Sequence, residues 1–141
     1  MPYHFIEHMA DTAVEVEATT VEDLFSLACH AWRDVALESG DISSTEWKFL
    51  YFKAGSLEEL LVQLLSELNL LLFTKDWVFN SVDDLKILSG NSEFKLYADV
   101  YGSPFNPEIY TIKQGIKAIT YHQMKVEKMG DSIFTKIVFD I

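Results

Sequence analysis

Residues 5–12, Phe5-Ile6-Glu7-His8-Met9-Ala10-Asp11-Thr12, set the arrangement that we expect for the whole chain. The stretch is typical of a strand that ends in a tight polar turn, and this turn carries His8 and Asp11. At the other end of the chain, an apolar strand ends on Asp140 and is followed by the carboxylate of Ile141. A fold that pairs the two terminal segments would bring these carboxylates together.

The remaining elements follow from hydrophobic periodicity. Two segments have apolar residues at helical spacing: one follows a Thr19 or Thr20 N-cap and stops at Gly40, and the other follows a Ser56 cap with Glu59 completing the capping box. Strand-like patterns cover residues 3–7, 13–18, 47–53, 77–79, 84–88, 94–101, 116–127 and 133–140. We expect turns at Asn80-Ser81 and at Gly130-Asp131.

This element order predicts the fold class. Runs of strands with two interspersed helices indicate an α+β protein with a largely antiparallel sheet and two main helices. A length of 141 residues fits one domain, which we assign to residues 1–141. The metal hypothesis below requires that the N- and C-termini be adjacent.

The charge of the chain limits its direct partners. Only 11 Lys and Arg face 22 Asp and Glu, for a net charge of −11. A chain that neutralises phosphates needs clustered cations, so direct nucleic-acid binding is not expected. The acidic surface suits a cation or a basic partner protein, and it is also consistent with a charge that only keeps the protein soluble.

Other sequence features indicate the compartment. The single cysteine, Cys29, excludes a disulfide within the chain and fits a reducing environment. No stretch has the pattern of a signal peptide, and the longest apolar segment, residues 57–73, carries three carboxylates. We therefore expect a soluble, cytoplasmic protein that makes no membrane contact.

The familiar motifs of enzymes are absent from the sequence, which contains no phosphate-binding glycine loop, HExxH or nucleophile elbow. What remains is the set of carboxylates near the chain ends: Asp11, Asp140 and the terminus at Ile141. Hard divalent cations take such oxygen ligands. The alternative is that Asp11 caps its turn and Asp140 is a solvated strand end.

Three further residues could belong to such a site. His8 could be a ligand, a general base or a histidine satisfied by the turn backbone. Lys117 and His122 interrupt an otherwise apolar stretch, and on a strand they would lie on opposite faces.

Four segments of the sequence, in register over nearly the whole chain, resemble the archease family. They are Glu7-His8-x-Ala10-Asp11, Leu60-Leu61-Val62-Gln63-x-Leu65-x-Glu67-Leu68, Lys117-Ala118-x-Thr120-Tyr121-His122 and Phe139-Asp140-Ile141. Archeases are small acidic proteins that serve as cofactors of the RtcB-type tRNA-splicing ligase. The resemblance implies an α+β fold with adjacent termini.

The resemblance also implies a function. The chain would be a non-catalytic activator that promotes guanylylation of the RNA ligase and its multiple turnover. The family's metal site maps onto Asp11, Asp140 and Ile141, with calcium expected in a crystal and Mg²⁺ or Mn²⁺ possible in function. His8, Lys117 and His122 would bind the partner or support the metal ligands.

Two positions depart from the family pattern. Met9 stands where a threonine is usual, and Tyr110 stands where many members have a histidine. Two other functions stay open. A small metal-dependent hydrolase would use Asp11, Asp140 and His8, and a chaperone-like module would bind partners through exposed aromatic residues such as Tyr101, Phe105 or Tyr110.

Overall fold

The computed structural model describes residues 2–7, 11–38, 42–121 and 123–141. Within these ranges the chain forms eight strands and two α-helices. In chain order they are β1 (Tyr3–Glu7), β2 (Asp11–Ala18), α1 (Val21–Ala36), β3 (Glu46–Ala54), α2 (Leu57–Phe73), β4 (Trp77–Gly90), β5 (Glu93–Pro104), β6 (Ala118–Thr120), β7 (Glu127–Met129) and β8 (Ser132–Asp140). The α+β class is confirmed, and the strands form two antiparallel sheets.

The first sheet joins the two ends of the chain. Its order is β1-β2-β8-β6, and β7 pairs with β8 beyond the end of β6. Strand β2 lies in the interior of this sheet because it pairs with β1 along one edge and with β8 along the other. Its apolar residues Val14 and Val16 face the core. Because β2 and β8 are antiparallel, the start of β2 lies beside the end of β8.

The second sheet has the order β3-β5-β4. The predicted Asn80-Ser81 turn between two short strands is wrong, because β4 is one strand with register shifts between Phe79 and Ser81 and between Asp83 and Lys86. Asp84, within the second shift, has a φ of 50°. Extra residues at such β-bulges bend a strand without ending it.

Both helices begin directly after a predicted N-cap residue. Thr20 accepts a hydrogen bond from the Asp23 N–H at 3.1 Å, and Ser56 accepts one from the Glu59 N–H at 3.1 Å. Helix α1 ends at Ala36, before Gly40, which lies outside the described residues. The helix ends early because Leu37 has extended backbone angles and forms a β-bridge with Ile112.

The core lies between the sheets and the helices. Helix α1 contacts β2 and β8 of the first sheet and β4 of the second, whereas α2 contacts all three strands of the second sheet and β6 of the first. Among the largest buried side chains are Trp32 and Phe25 of α1, Phe79 of β4 and Phe139 of β8. Each helix thus links the two sheets. No helix in the described ranges is long and apolar enough to cross a membrane.

The single strand predicted for residues 116–127 is wrong. Thr120 pairs with Val138 and Glu127 pairs with Phe134, so residues 121–126 would have to match only residues 135–137 of β8. Six residues cannot pair one to one with three, and residues 121 and 123–126 lie outside the strands of the sheet. Within this segment Met124 is only 7% exposed and joins the core. The hairpin turn at Gly130-Asp131 is confirmed, with Gly130 at a φ of 64°.

Candidate functional site

The structure brings Asp11 and Asp140 together. Asp11 is not in a turn, as the sequence suggested, but is the first residue of β2, and Asp140 is its direct partner on β8. Side chains of directly opposite residues in an antiparallel pair lie on the same face, with Cβ atoms about 4.5–5.5 Å apart. Residues that are 129 positions apart in sequence (140 − 11) therefore form one acidic pair.

The environment of this acidic pair is asymmetric. Asp140 is exposed, whereas Asp11 is half-buried and its Oδ1 atom is buried. Among the described residues this oxygen has no hydrogen-bond partner. A buried carboxylate oxygen without a partner is costly, and a second carboxylate directly opposite adds repulsion. Both costs fall when a cation binds between the two aspartates.

The oxygen donors of the acidic pair fit a hard divalent cation, which binds carboxylates, carbonyls and water. The described residues contain no cluster of three or more His, Cys, Asp or Glu side chains. Within the described residues the acidic pair therefore has no third His, Cys, Asp or Glu side chain beside it, and a main-chain carbonyl or carboxylate is a group of the right chemistry to complete the site. Ile141 follows Asp140 directly, and its half-buried side chain packs against the core, which holds the end of β8 in place.

Lys117 lies next to the acidic pair through its backbone. Its N–H donates to the Asp140 carbonyl at 2.7 Å, and the following residue, Ala118, is the β6 partner of Asp140. The Lys117 side chain is exposed and borders a groove of about 340 Å³ between α2 and β6, which Asn69, Leu70 and Phe73 also line. His8 and His122 lie outside the described residues, so their predicted roles are not tested.

A second groove opens on the other side of the acidic pair. It has a volume of about 380 Å³ and lies between Phe5 and Thr12 on one side and Asp34 and Lys113 on the other. The Tyr3 hydroxyl of β1 donates a hydrogen bond to Asp34 of α1, which holds β1 against this helix. Burial, together with this hydrogen bond, raises the pKa of Tyr3 to about 12. No local pattern in the sequence indicates this groove, since its residues come from three distant segments.

The aromatic residues proposed for a chaperone-like surface are not all accessible. Tyr110 is only 8% exposed, and its hydroxyl accepts a hydrogen bond from the Ser43 N–H and shares another with Ser103. The most exposed aromatic residues of the described chain lie on β3 instead: Trp47 is 61% and Phe49 57% exposed. The sequence contains a signal for this exposed surface, because Trp47 and Phe49 are two residues apart and so lie on the same face of one strand.

The fold and the acidic pair define a small α+β protein that joins the two ends of its chain in one sheet. Residues 3–141 match the family model described as Archease protein family (MTH1598/TM1083). The archease of Methanosarcina barkeri is 30% identical over 139 residues, which cover 99% of this chain and 95% of that protein. That of Thermococcus kodakarensis is 34% identical over 125 residues, which cover 89% and 87%. The chain belongs to the archease family.

Two solved structures are similar to the whole fold. The solution structure of Methanobacterium thermoautotrophicum protein 1598 has a TM-score of 0.81 at 19% identity and covers 99% of both chains. The crystal structure of a Thermotoga maritima archease, described as a possible chaperone, has a TM-score of 0.60 at 25% identity and covers 96% of this chain and 94% of that one. The first likeness supports the fold alone.

Proposed function

We propose that this chain is an accessory protein that activates an RtcB-type RNA ligase in tRNA splicing in the cytoplasm. Membership of the archease family supports the choice of partner. The observation that carries the proposal is the acidic pair of Asp11 and Asp140, with one buried carboxylate oxygen that lacks a partner among the described residues. In this proposal the chain does not catalyse a reaction itself.

The step that we propose to be activated is the formation of the ligase's covalent histidine–guanylate intermediate. The ligase joins RNA ends that carry a 2′,3′-cyclic phosphate or a 3′-phosphate to 5′-hydroxyl ends, with GTP and manganese. An activator that promotes guanylylation after each ligation would allow many turnovers by one ligase molecule. Correct placement of reacting groups contributes large rate effects of this kind.

In this proposal Asp11, Asp140 and the Ile141 carboxylate hold a divalent cation: Ca²⁺ in a crystal, and Mg²⁺ or Mn²⁺ in function. Such a cation supplies positive charge for phosphate oxygens. Asp11 provides the half-buried ligand, and its backbone pairs with that of Asp140 on β8. Asp140 provides the exposed ligand, and Lys117, with His8 and His122, contacts the partner.

The test is RNA ligation by a limiting amount of the ligase, with GTP and manganese. We expect this chain to raise the product well beyond one turnover per ligase. Asp11→Ala and Asp140→Ala should reduce this stimulation at least tenfold, since each removes one of two facing ligands. The matched control is Asp131→Ala, which removes an exposed carboxylate from the β7–β8 turn and should leave stimulation unchanged.

Two results would contradict the proposal: product limited to one turnover, or full stimulation by both aspartate variants when circular dichroism shows that they are folded. A chaperone-like module is the second candidate, supported by the exposed Trp47 and Phe49 and by the description of the Thermotoga protein. It predicts activity that is independent of Asp11, Asp140 and the cation. Metal-dependent hydrolysis by the isolated chain would instead favour the hydrolase alternative.

A further inference from the structure

The outward side of the three-stranded sheet has no covering element in the described part of the chain. Helix α2 packs on the inner side, where Leu50, Leu96 and Ala98 are buried. The outer side presents Trp47, Phe49 and Tyr51 of β3 together with Tyr97 and Tyr101 of β5. We call this surface the aromatic face. Contiguous exposed apolar surface of this kind typically marks a site of protein association.

Charges on the aromatic face are arranged in like-charged pairs. Lys53 of β3 is the direct partner of Lys95 of β5, and Asp99 of β5 is the direct partner of Asp83 of β4. Like charges directly opposite each other destabilise a sheet. Within the described ranges, none of these four residues forms an ion pair. Both pairs thus lack an opposite charge from the part of the chain that the structure describes.

The order of residues along β5 supplies these opposite charges from a second copy. The outward residues of β5 are Glu93, Lys95, Tyr97, Asp99 and Tyr101, with Tyr97 in the middle. We propose that the aromatic face binds a second copy of this chain, with the two β5 strands antiparallel and a two-fold axis crossing them at Tyr97. Asp99 of each copy then meets Lys95 of the other, and the two ion pairs are equivalent by symmetry.

Several other positions of the aromatic face are complementary in the same arrangement. Phe49 meets Lys53 of the second copy, which is a cation–π contact. Tyr51 and Tyr97, whose ring centroids are 5.1 Å apart within one chain, form the apolar centre. Tyr101 meets a hollow of about 360 Å³ that is lined by residues including Leu88, Gly90, Glu93 and Lys95. The β3 and β5 positions are thus self-complementary, whereas on β4 Lys86 meets its own copy and Asp83 meets Leu88.

Charge also excludes the parallel arrangement. A two-fold axis along β5 would place Asp99 on Asp99 and Lys95 on Lys95, so all four charges would repel. The antiparallel arrangement converts these contacts into attractions. The face therefore specifies its own orientation, as interfaces do when attractive contacts in one pairing become repulsive in another.

The small size of the aromatic face favours a weak, reversible association over a permanent one. Three strands and nine residues of β5 give a face about 30 Å long and about 15 Å wide, which covers about 450 Å² per copy, compared with about 800 Å² in a standard interface. We therefore expect a reversible dimer with a dissociation constant on the order of 10–100 μM.

Sedimentation velocity from about 5 to about 500 μM tests the proposal, since this range brackets the expected dissociation constant. Wild-type protein should shift from monomer to dimer. Asp99→Lys alone and Lys95→Glu alone should each raise the dissociation constant at least tenfold. An equimolar mixture of these two variants should dimerise at least as well as wild type, because both contacts become attractive. The double variant should also regain dimerisation.

The control is Asp131→Lys, a charge reversal in an exposed turn outside the aromatic face, which should dimerise like wild type. Circular dichroism checks that each variant is folded. A wild-type protein that stays monomeric throughout overturns the proposal, as does a dimer that neither single variant weakens. If the monomer instead binds a single-stranded oligouridine or the RNA ligase in a Trp47-dependent manner, the face belongs to that partner and the proposal is also wrong.

Discussion

The acidic pair and the aromatic face share one arrangement of charges, and this arrangement has different consequences in the two regions. Each places like charges directly opposite each other on neighbouring strands: Asp11 and Asp140 in one sheet, and Lys53 and Lys95 in the other. In the first pair an oxygen of Asp11 is buried, so water cannot screen it. In the second pair both lysines reach solvent, which screens them.

Burial therefore decides what each pair requires. The acidic pair needs a counter-charge at the site itself, and we assign this role to a divalent cation. The lysine pair tolerates the lack of a counter-charge in the monomer. A counter-charge from a second copy would therefore stabilise a dimer only weakly. The same comparison predicts that removing one charge from the acidic pair changes stability more than removing one charge from the lysine pair.

The largest expected effect comes from a substitution in β5, one of the strands that form the aromatic face. At Gly102 of β5 an added Cβ would lie 1.9 Å from the Val78 carbonyl oxygen, which is backbone and cannot move aside easily. We expect Gly102→Ala to lower the free energy of unfolding by more than about 3 kcal/mol, as measured by urea denaturation.

The matched control is Gly90→Ala at the outer end of β4, where an added Cβ meets nothing within 4 Å. It should change the free energy of unfolding by less than about 1 kcal/mol. Equal effects of the two substitutions would mean that close approach of β4 to Gly102 does not limit the second sheet.

A medium effect is expected beside the acidic pair. Asn69 of α2 accepts a hydrogen bond from Trp32 Nε1 and donates one to the Ile116 carbonyl, both at 2.9 Å, and so fixes the segment that leads into β6. Asn69→Leu leaves both partners unsatisfied and should cost about 1–3 kcal/mol in unfolding free energy. Gln63→Leu is the control, because its amide makes one long contact of 3.4 Å to the Lys53 carbonyl. A loss at Gln63 as large as that at Asn69 would contradict this account.

The sequence predicted the parts of this structure that depend on local patterns. Thr20 and Ser56 cap their helices, and the alternation around Val14 and Val16 places β2 in the core, because caps and periodicity act over a few residues. It failed at β4 and at residues 116–127, where the partner strand decides which residues pair. The sequence indicates that Asp11 and Asp140 lie close together if the chain ends pair, but only the register of β2 and β8 makes them direct partners.

The smallest expected effect is at Thr135, whose buried side-chain oxygen can be compared with that of Asp11. Thr135 Oγ1 is buried without a hydrogen-bond partner within the described residues, like Asp11 Oδ1, but it carries no charge. Thr135→Val removes an unsatisfied hydroxyl at nearly constant volume and should leave the free energy of unfolding unchanged or raise it by up to about 1 kcal/mol. Urea denaturation measures this effect, and a loss above about 1 kcal/mol would indicate that the hydroxyl binds a water molecule.

The most direct test of cation binding by the acidic pair is the melting temperature of wild type and of Asp11→Asn, each with a chelator and with excess Ca²⁺ or Mn²⁺. Asparagine keeps the shape of the side chain but removes the repulsion from Asp140. With chelator, Asp11→Asn should melt at or above the temperature of wild type. A cation at about 100 times its dissociation constant should add about 2.7 kcal/mol to wild type, a rise of about 5–10 °C.

The variant should show little of this rise, whereas the control Asp131→Asn should respond like wild type. We expect this result if Asp11 and Asp140 hold the cation together, and the measurement does not depend on the ligase. If the melting temperatures of wild type and Asp11→Asn rise equally with the cation, or if neither rises, the acidic pair does not hold a divalent cation.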